Sequence, residues 1–116
     1  MRSVSFFCAA IFGAVAASSM LVVGPPAWAR PAYRLTIRNH QFEPAELQIT
    51  AGQKIELQIT NADSTEEEFE SLPLHREAVI PGRRTSTIYI GPVAAGRYEF
   101  FGDFNPKTAR GVIVAK

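Results

Sequence analysis

A run of glutamates is the densest group of chemically active side chains in this sequence. Residues 66–70 read Glu-Glu-Glu-Phe-Glu, so in an extended chain Glu66, Glu68 and Glu70 share one face and Phe69 lies on the other. Carboxylates this close repel one another, because each disfavours the charged form of its neighbours. Water, a neighbouring arginine or a bound cation must therefore offset the repulsion. A solvated acidic edge that discourages aggregation is the alternative to a cation site.

A second polar group follows shortly after the glutamates. His75 and Glu77 lie two residues apart and can face the same way, with Arg76 between them. One imidazole among several carboxylates is a donor set that suits iron, manganese or Cu(II) better than Cu(I). A loop histidine paired with a glutamate is the alternative. Neutralisation of the carboxylates by Arg76 would equally leave no room for a metal.

Asp103 lies in a segment rich in phenylalanine, which predicts that the segment forms an apolar face of the core that excludes water. The phenylalanines of this segment are Phe100, Phe101 and Phe104. The loops of a β-sandwich cluster at its two ends, so the loop 61–77 and the loop 102–110 can meet. Such a meeting brings Asp103 to the carboxylates. His40, which follows the first predicted strand, is a weaker ligand candidate.

Short segments that alternate apolar and polar residues predict the elements that position these side chains. The predicted strands cover residues 33–38, 47–50, 54–60, 85–90, 97–101 and 112–115. The sequence therefore predicts an all-β fold, a Greek-key antiparallel β-sandwich. The pentapeptide Glu-Leu-Gln-Ile-Thr occurs at 46–50 and again at 56–60, which indicates two similar half-buried strands rather than a solenoid.

The N-terminal part of the chain has the pattern of a secretory signal peptide. Arg2 supplies a positive start, an apolar run covers residues 4–23, and Ala27-Trp28-Ala29 places small residues where a signal peptidase reads. We therefore predict a helical signal peptide over residues 1–29, a mature domain over residues 30–116 and secretion to the periplasm. An uncleaved membrane anchor is the alternative, since about 20 apolar residues span a bilayer.

The composition of the predicted mature domain excludes several classes of function. Cleavage removes Cys8, the single cysteine, and both methionines, which are the soft sulfur ligands that a copper electron carrier needs. Residues 30–116 carry as many basic as acidic side chains. They therefore offer no basic field for nucleic acid and no polybasic segment for anionic lipid. The sequence also has no recognisable nucleophilic triad and no glycine-rich phosphate loop.

Several motifs together resemble the cupredoxin domain over nearly the whole predicted mature chain. The opening pattern, Phe-Glu-Pro-Ala-Glu-Leu at 42–47, is shared by many cupredoxins. The segments Glu-Glu-Phe-Glu-Ser at 67–71 and Leu-His-Arg-Glu at 74–77 resemble one branch more specifically, the iron-uptake or EfeO-like cupredoxins. The segments Gly-Arg-Tyr-Glu-Phe-Phe-Gly-Asp-Phe at 96–104 and Gly-Val-Ile-Val at 111–114 complete the match.

The resemblance implies a Greek-key sandwich with a metal site at one end. In copper-carrying cupredoxins a histidine follows the long middle loop, and a Cys-His-Met series lies near the last strand. In this sequence the first position falls in the stretch Glu68–Glu70, the cysteine position falls near Phe101, and Asn105 stands where many relatives of the branch carry a histidine. The type 1 copper ligands are therefore missing, and the resemblance implies a carboxylate-rich variant.

These observations together predict a periplasmic metal-binding accessory protein for iron uptake. Its metal ligands are predicted to be Glu68, Glu70, His75, Glu77 and Asp103, with Glu66 and His40 as weaker candidates. The predicted metal is an iron or copper ion. The resemblance implies an inner-membrane iron permease or a periplasmic iron-binding protein as the partner. It also implies that the protein binds and can oxidise ferrous iron; a stand-alone enzyme is less favoured.

Two other hypotheses remain open on the sequence. In the first, the sandwich is a metal-free binding module that docks a basic partner through its acidic edge. In the second, the protein transfers electrons through copper, which would require a thiolate that the predicted mature domain lacks.

Overall fold

The computed structural model describes Gly13, residues 19–23, Pro26 and residues 30–116. The predicted helical signal peptide and its cleavage site therefore lie largely outside the described residues. Among the residues that are described, no helix is long and apolar enough to cross a membrane.

The fold is all-β, as predicted, and its strands follow the alternation of apolar and polar residues. The described residues form nine strands, which are β1 (Ala32–Arg38), β2 (Gln41–Glu43), β3 (Glu46–Ile49), β4 (Ile55–Asn61), β5 (Glu67–Ser71), β6 (Arg76–Ile80), β7 (Thr85–Ile90), β8 (Gly96–Gly102) and β9 (Arg110–Ala115). Strands β2, β5 and β6 are additions to the predicted set, and β5 and β6 lie within residues 61–77, where the prediction of a loop is wrong. These three strands are short, with three, five and five residues, so their alternation gives little signal.

Two sheets form the sandwich. The four-stranded sheet has the order β2-β1-β4-β7, and the five-stranded sheet has the order β3-β9-β8-β5-β6. The sheets are mixed rather than purely antiparallel, because β1 pairs with β4 and β3 pairs with β9 in parallel. The chain crosses to the second sheet between β2 and β3 and returns at β4, and a crossover of this kind lets β4 run beside β1 in the same direction.

The core lies between the inward faces of the two sheets. Leu35 and Ile37 of β1 face the core, and so do their neighbours Leu57 and Ile59 of β4. A cluster of aromatic rings from Phe42, Phe69 and Phe100 joins the sheets near one end, with ring centroids 5.0 to 6.1 Å apart. Edge-on and tilted ring packing at these distances stabilises the core beyond the burial of area alone.

The repeated pentapeptide forms two similar half-buried strands, as predicted. The first copy lies in β3, where Leu47 and Ile49 are buried, and the second lies in β4, where Leu57 and Ile59 are buried. The two copies belong to different sheets. The two copies share the same alternation because each sheet buries one of its faces.

One end of the sandwich, which we call the tip, gathers four connections. They are the turn between β1 and β2, the loop 61–67, the turn between β6 and β7, and the loop 102–109. The buried Asn61 amide joins two of them, because it donates to the carbonyl oxygens of Thr65 in the loop 61–67 and of Ile80 at the end of β6, at 2.8 and 3.0 Å. The turn 72–75 between β5 and β6 lies at the opposite end.

Candidate functional site

The alternation of β5 sends its glutamates to opposite faces of the five-stranded sheet. Glu67, Phe69 and Ser71 are buried on the inner face, and Glu68 and Glu70 are half-buried on the outer face. The prediction that Glu68 and Glu70 share a face opposite Phe69 is therefore confirmed. Glu66 lies before the strand and is exposed.

On the outer face, four carboxylates form what we call the acidic strip: Glu68, Glu70, Glu77 and Asp103. Glu70 of β5 lies directly opposite Glu77 of β6 in the antiparallel register. Residues in such a pair have Cβ atoms about 4.5–5.5 Å apart, and like charges in this position destabilise the sheet. Asp103 joins the strip at the tip, where its backbone N–H donates to the Glu68 carbonyl oxygen at 3.0 Å.

The surroundings of Glu68 in the acidic strip shift its pKa. Partial loss of solvation raises the pKa of Glu68 above its ordinary value, and the negative charges of Glu77, Asp103, Glu70 and Glu67 raise it further. Both causes disfavour the charged form. A cation bound at the strip would favour that form instead.

No lysine or arginine in the described part of the chain pairs with a carboxylate of the acidic strip. Arg76, the cation nearest in sequence, donates its Nε–H to the Tyr89 carbonyl oxygen at 2.9 Å and an Nη1–H to the His75 carbonyl oxygen at 3.0 Å. The hydrogen bond to Tyr89 attaches the start of β6 to β7. The charge of the strip is therefore left for water or an external cation to offset.

His75 lies at the far end of the strip from Asp103. It occupies the turn 72–75 with a left-handed backbone, φ 51°, and its N–H donates to the Leu72 carbonyl oxygen at 3.1 Å. His75 lines a shallow pocket together with Glu70 and Glu77. The five predicted ligands thus fall into two groups along β5, one around this pocket and one that joins Glu68 to Asp103.

This placement sets a limit on the acidic strip as a metal site. Across residues 30–116 and the few described before them, no three His, Cys, Asp or Glu side chains are arranged to hold a metal ion as they stand. A cation at the strip would therefore need side chains such as those of the opposed Glu70 and Glu77 to rotate toward it.

His40 belongs to a separate polar group at the tip. Asn39 and His40 form the turn between β1 and β2, and both have left-handed backbones, φ 51° and 57°. The Asp63 carboxylate accepts their two backbone N–H groups at 2.8 and 2.9 Å, and His40 Nδ1 lies 3.7 Å from Asp63 Oδ2. These hydrogen bonds are the main cause that holds the pKa of Asp63 below its ordinary value. The group does not join the acidic strip.

Sequence reasoning missed Glu67, the most enclosed carboxylate of the described chain. Its side chain is 1% exposed, and its Oε1 accepts from the backbone N–H groups of Glu68 and Phe104, both at 2.9 Å. Its Oε2 accepts from Asn105 Nδ2 at 2.6 Å. Alternation counted back from Phe69 would have placed this residue on the inner face.

Glu67 meets the loop before the last strand, near the positions that the resemblance matches to the ligands of copper-carrying cupredoxins. The residues there are Glu67, Gly102 and Asn105, each close to a position named from the sequence. They offer a carboxylate that is already fully hydrogen-bonded, a residue with no side chain and an amide. A type 1 copper centre needs a thiolate between two imidazoles. The residues present therefore do not fit this metal centre.

Comparison with known proteins agrees with the fold. The profile of the cupredoxin-like domain family matches residues 5–115. An uncharacterized protein of Rickettsia prowazekii (strain Madrid E) is 43% identical over 81 residues, which cover 70% of this chain and 65% of that protein. The chain thus matches somewhat less than two thirds of the length of this relative.

Several solved structures share the fold at low sequence identity. Auracyanin A, a "blue" copper protein from Chloroflexus aurantiacus, has a TM-score of 0.64 and 13% identity, covering 73% of this chain and 98% of that one. The metal-binding domain of a Cu(I)-exporting P-type ATPase from Streptococcus pneumoniae has a TM-score of 0.65 and 20% identity, covering 73% and 84%. A purple cupredoxin from Nitrosopumilus maritimus has a TM-score of 0.57 and 17% identity, covering 72% and 98%.

Proposed function

This chain belongs to the cupredoxin-like domain family, and we propose that it is a periplasmic metal-binding accessory protein for iron uptake. Its cargo is iron, held at the acidic strip of the five-stranded sheet. It passes the iron to an inner-membrane iron permease or to a periplasmic iron-binding protein.

The observation that carries the proposal is the unneutralised charge of the acidic strip. Glu70 and Glu77 face each other across two strands, and Glu68 is held near them with its pKa raised. By contrast, Glu43 and Glu46 on the β2–β3 side are each close to an arginine, at 3.5 and 3.9 Å. Repulsion within the strip is relieved when a cation binds, which adds a favourable contribution to binding.

The donor chemistry favours a hard cation. Carboxylate oxygens are ligands for hard metal ions, and one imidazole, His75, beside Glu70 and Glu77 is compatible with iron. Anionic oxygen stabilises Fe(III) more than Fe(II), because the more highly charged ion gains more from it. Binding at the strip therefore favours capture or oxidation of ferrous iron.

The openness of the strip suits transfer rather than storage. Glu77, His75 and Asp103 are exposed. Since no three ligands are arranged in advance within the described part of the chain, the side chains must be ordered when the ion binds, and this cost lowers affinity. A loosely held ion at an open surface can pass to a membrane partner.

Calorimetric titration tests the proposal. Fe(II) under anaerobic conditions and Cu(II) are titrated into the protein and into the double variant Glu68→Ala/Glu70→Ala. The loss of two ligands is expected to weaken binding at least about tenfold, which corresponds to about 1.4 kcal/mol. Glu43→Ala/Glu46→Ala is the matched control, because it removes the same charge from a neutralised region. Equal affinity in the first variant contradicts the proposal.

A second function is favoured by the exposure of Glu77 and Asp103, two of the carboxylates of the acidic strip. In this alternative the sandwich is a metal-free binding module, and the acidic strip docks a basic partner. Docking through exposed charges weakens strongly between low and physiological salt, whereas a chelated metal responds little. The salt dependence of retention on an immobilised lysine-rich peptide, with chelator present, separates the two functions.

A further inference from the structure

The contacts of Glu67 tie together two segments that are distant in the sequence. Its carboxylate accepts N–H groups from its own strand and from the loop 102–109, namely those of Glu68, Phe104 and Asn105. Two backbone donors and one side-chain donor satisfy both oxygens. A buried carboxylate is tolerated when hydrogen bonds replace its hydration in this way.

The same carboxylate fills the space that a side chain at position 102 would need. A Cβ atom built on Gly102 would lie 2.7 Å from Glu67 Cδ and 2.8 Å from Glu67 Oε1. It would also lie 2.6 Å from the Cβ of Ala109. A side chain at 102, such as that of a metal-binding cysteine, would therefore require Glu67 and Ala109 to move.

We infer that the Glu67 carboxylate stands in for a metal ion at the tip of this cupredoxin-like fold. It is the common acceptor through which β5 holds the loop 102–109. The tip of this chain is closed by hydrogen bonds and needs no metal to be ordered. The space that a type 1 copper centre would need is thus not an empty cavity, because the Glu67 carboxylate fills it.

Glu67 also acts as a positioning residue for the acidic strip. The loop that it anchors carries Asp103, whose N–H donates to the Glu68 carbonyl oxygen at 3.0 Å. Release of the Phe104 and Asn105 contacts frees the loop on the C-terminal side of Asp103. This part of the inference rests on the proposed function, whereas closure of the tip does not.

Amide hydrogen exchange measured by NMR in chelator-treated protein tests the inference. The Phe104 and Asp103 amides are expected to be protected in the absence of metal. Glu67→Ala is expected to speed their exchange by about tenfold or more, because the acceptor of the Phe104 N–H is lost. Glu66→Ala removes an exposed neighbouring carboxylate and is the matched control, with exchange unchanged.

Rescue by the conservative variant separates a positioning role from a general loss of packing. In Glu67→Gln the amide oxygen accepts the same two backbone N–H groups, and the Asn105 amide can turn to accept the new N–H. Exchange rates close to those of the original protein are expected. If Glu67→Ala does not fold, Asn105→Ala, which removes only one donor, is expected to show intermediate exchange.

Two results would overturn the inference. One is protection of Phe104 that develops only after Fe(II) or Cu(II) is added, which would show that a metal closes the tip. The other is unchanged exchange in both Glu67→Ala and Asn105→Ala. The titration of the acidic strip is a separate measurement, so unaltered iron binding in Glu68→Ala/Glu70→Ala removes the proposed function and leaves the closure of the tip standing.

Discussion

Glu67 and Glu68 are neighbours in the chain, yet their side chains lie on opposite faces of the five-stranded sheet in different surroundings. Glu67 is buried and accepts three N–H groups, whereas Glu68 is half-buried on the outer face among other carboxylates. The difference shows that burial alone does not decide whether a carboxylate is stable. A carboxylate with matched donors holds the structure together, and one without them is left to interact with something outside it.

Asp63 and Glu68 show the same contrast, because their pKa values are shifted in opposite directions. Backbone N–H groups of Asn39 and His40 lower the pKa of Asp63, because they stabilise the charged form. Desolvation and neighbouring carboxylates raise the pKa of Glu68. Asp63 therefore stabilises the fold when it is ionised, and Glu68 stabilises it more when it is protonated.

The largest expected effect is the replacement of Glu67 by alanine. The variant leaves three donors without their acceptor and creates a cavity, so we expect a loss of about 3 kcal/mol in the free energy of unfolding. Glu66→Ala, at the exposed neighbouring position, is expected to change stability by less than about 0.5 kcal/mol. Urea denaturation measures both. Similar losses in the two variants would remove the distinction between inner and outer carboxylates.

The replacement of Gly102 by alanine tests how tightly the Glu67 carboxylate fills the tip. The added methyl group meets Glu67 and the Ala109 side chain at less than 3 Å, so we expect a loss of about 1–3 kcal/mol. Gly96→Ala is the matched control, because its methyl group would meet only Tyr98 at an ordinary 3.7 Å or more. A tolerated Gly102→Ala would show that the tip has room for a side chain.

Asp63→Asn is expected to have an intermediate effect that depends on pH. The pKa of Asp63 is lower in the folded protein than its ordinary value of 3.8, so its stabilising contribution is present above about pH 4 and is lost as the pH falls through the folded pKa. We expect the variant to lose about 1 kcal/mol at pH 7 and to differ less from the original protein near pH 3. Urea denaturation at these two values measures the change, and a difference that grows on acidification would contradict it.

The smallest expected effect belongs to Glu68→Gln, and its sign is opposite. The pKa of Glu68 is higher in the folded protein than its ordinary value of 4.5, so the folded state binds the proton more tightly and gains stability as the pH falls through this region. The variant is therefore expected to be slightly more stable than the original protein at pH 7, with the difference shrinking toward pH 4. Thermal unfolding across this range measures it, and a loss of stability at pH 7 would show that Glu68 has a stabilising partner.

Much of the fold could be predicted because strand alternation is a local property. Residues 33–38 and 54–60 alternate strongly, and strands β1 and β4 lie there. The pairing directions were harder to predict, since the parallel pairing of β1 with β4 depends on a crossover between sheets. The signal peptide, the metal and the partner stay predictions.

The candidate site was partly predictable for the same reason. The sequence placed Glu68 and Glu70 on one face, and the structure shows them there beside Glu77. It did not separate His75 from Asp103, because both positions depend on which end of the sandwich each turn occupies.

The sequence by itself determined which residues alternate, and therefore that one glutamate of β5, Glu67, faces inward while Glu68 and Glu70 face outward. Only the tertiary structure decided what the inward one would meet. The N–H groups of Phe104 and Asn105, far along the chain, reach Glu67 because β8 pairs with β5 and places the loop 102–109 over the end of that strand. A hydrogen bond is directional and short, so a pattern of residue types cannot reveal it until the backbone brings donor and acceptor together.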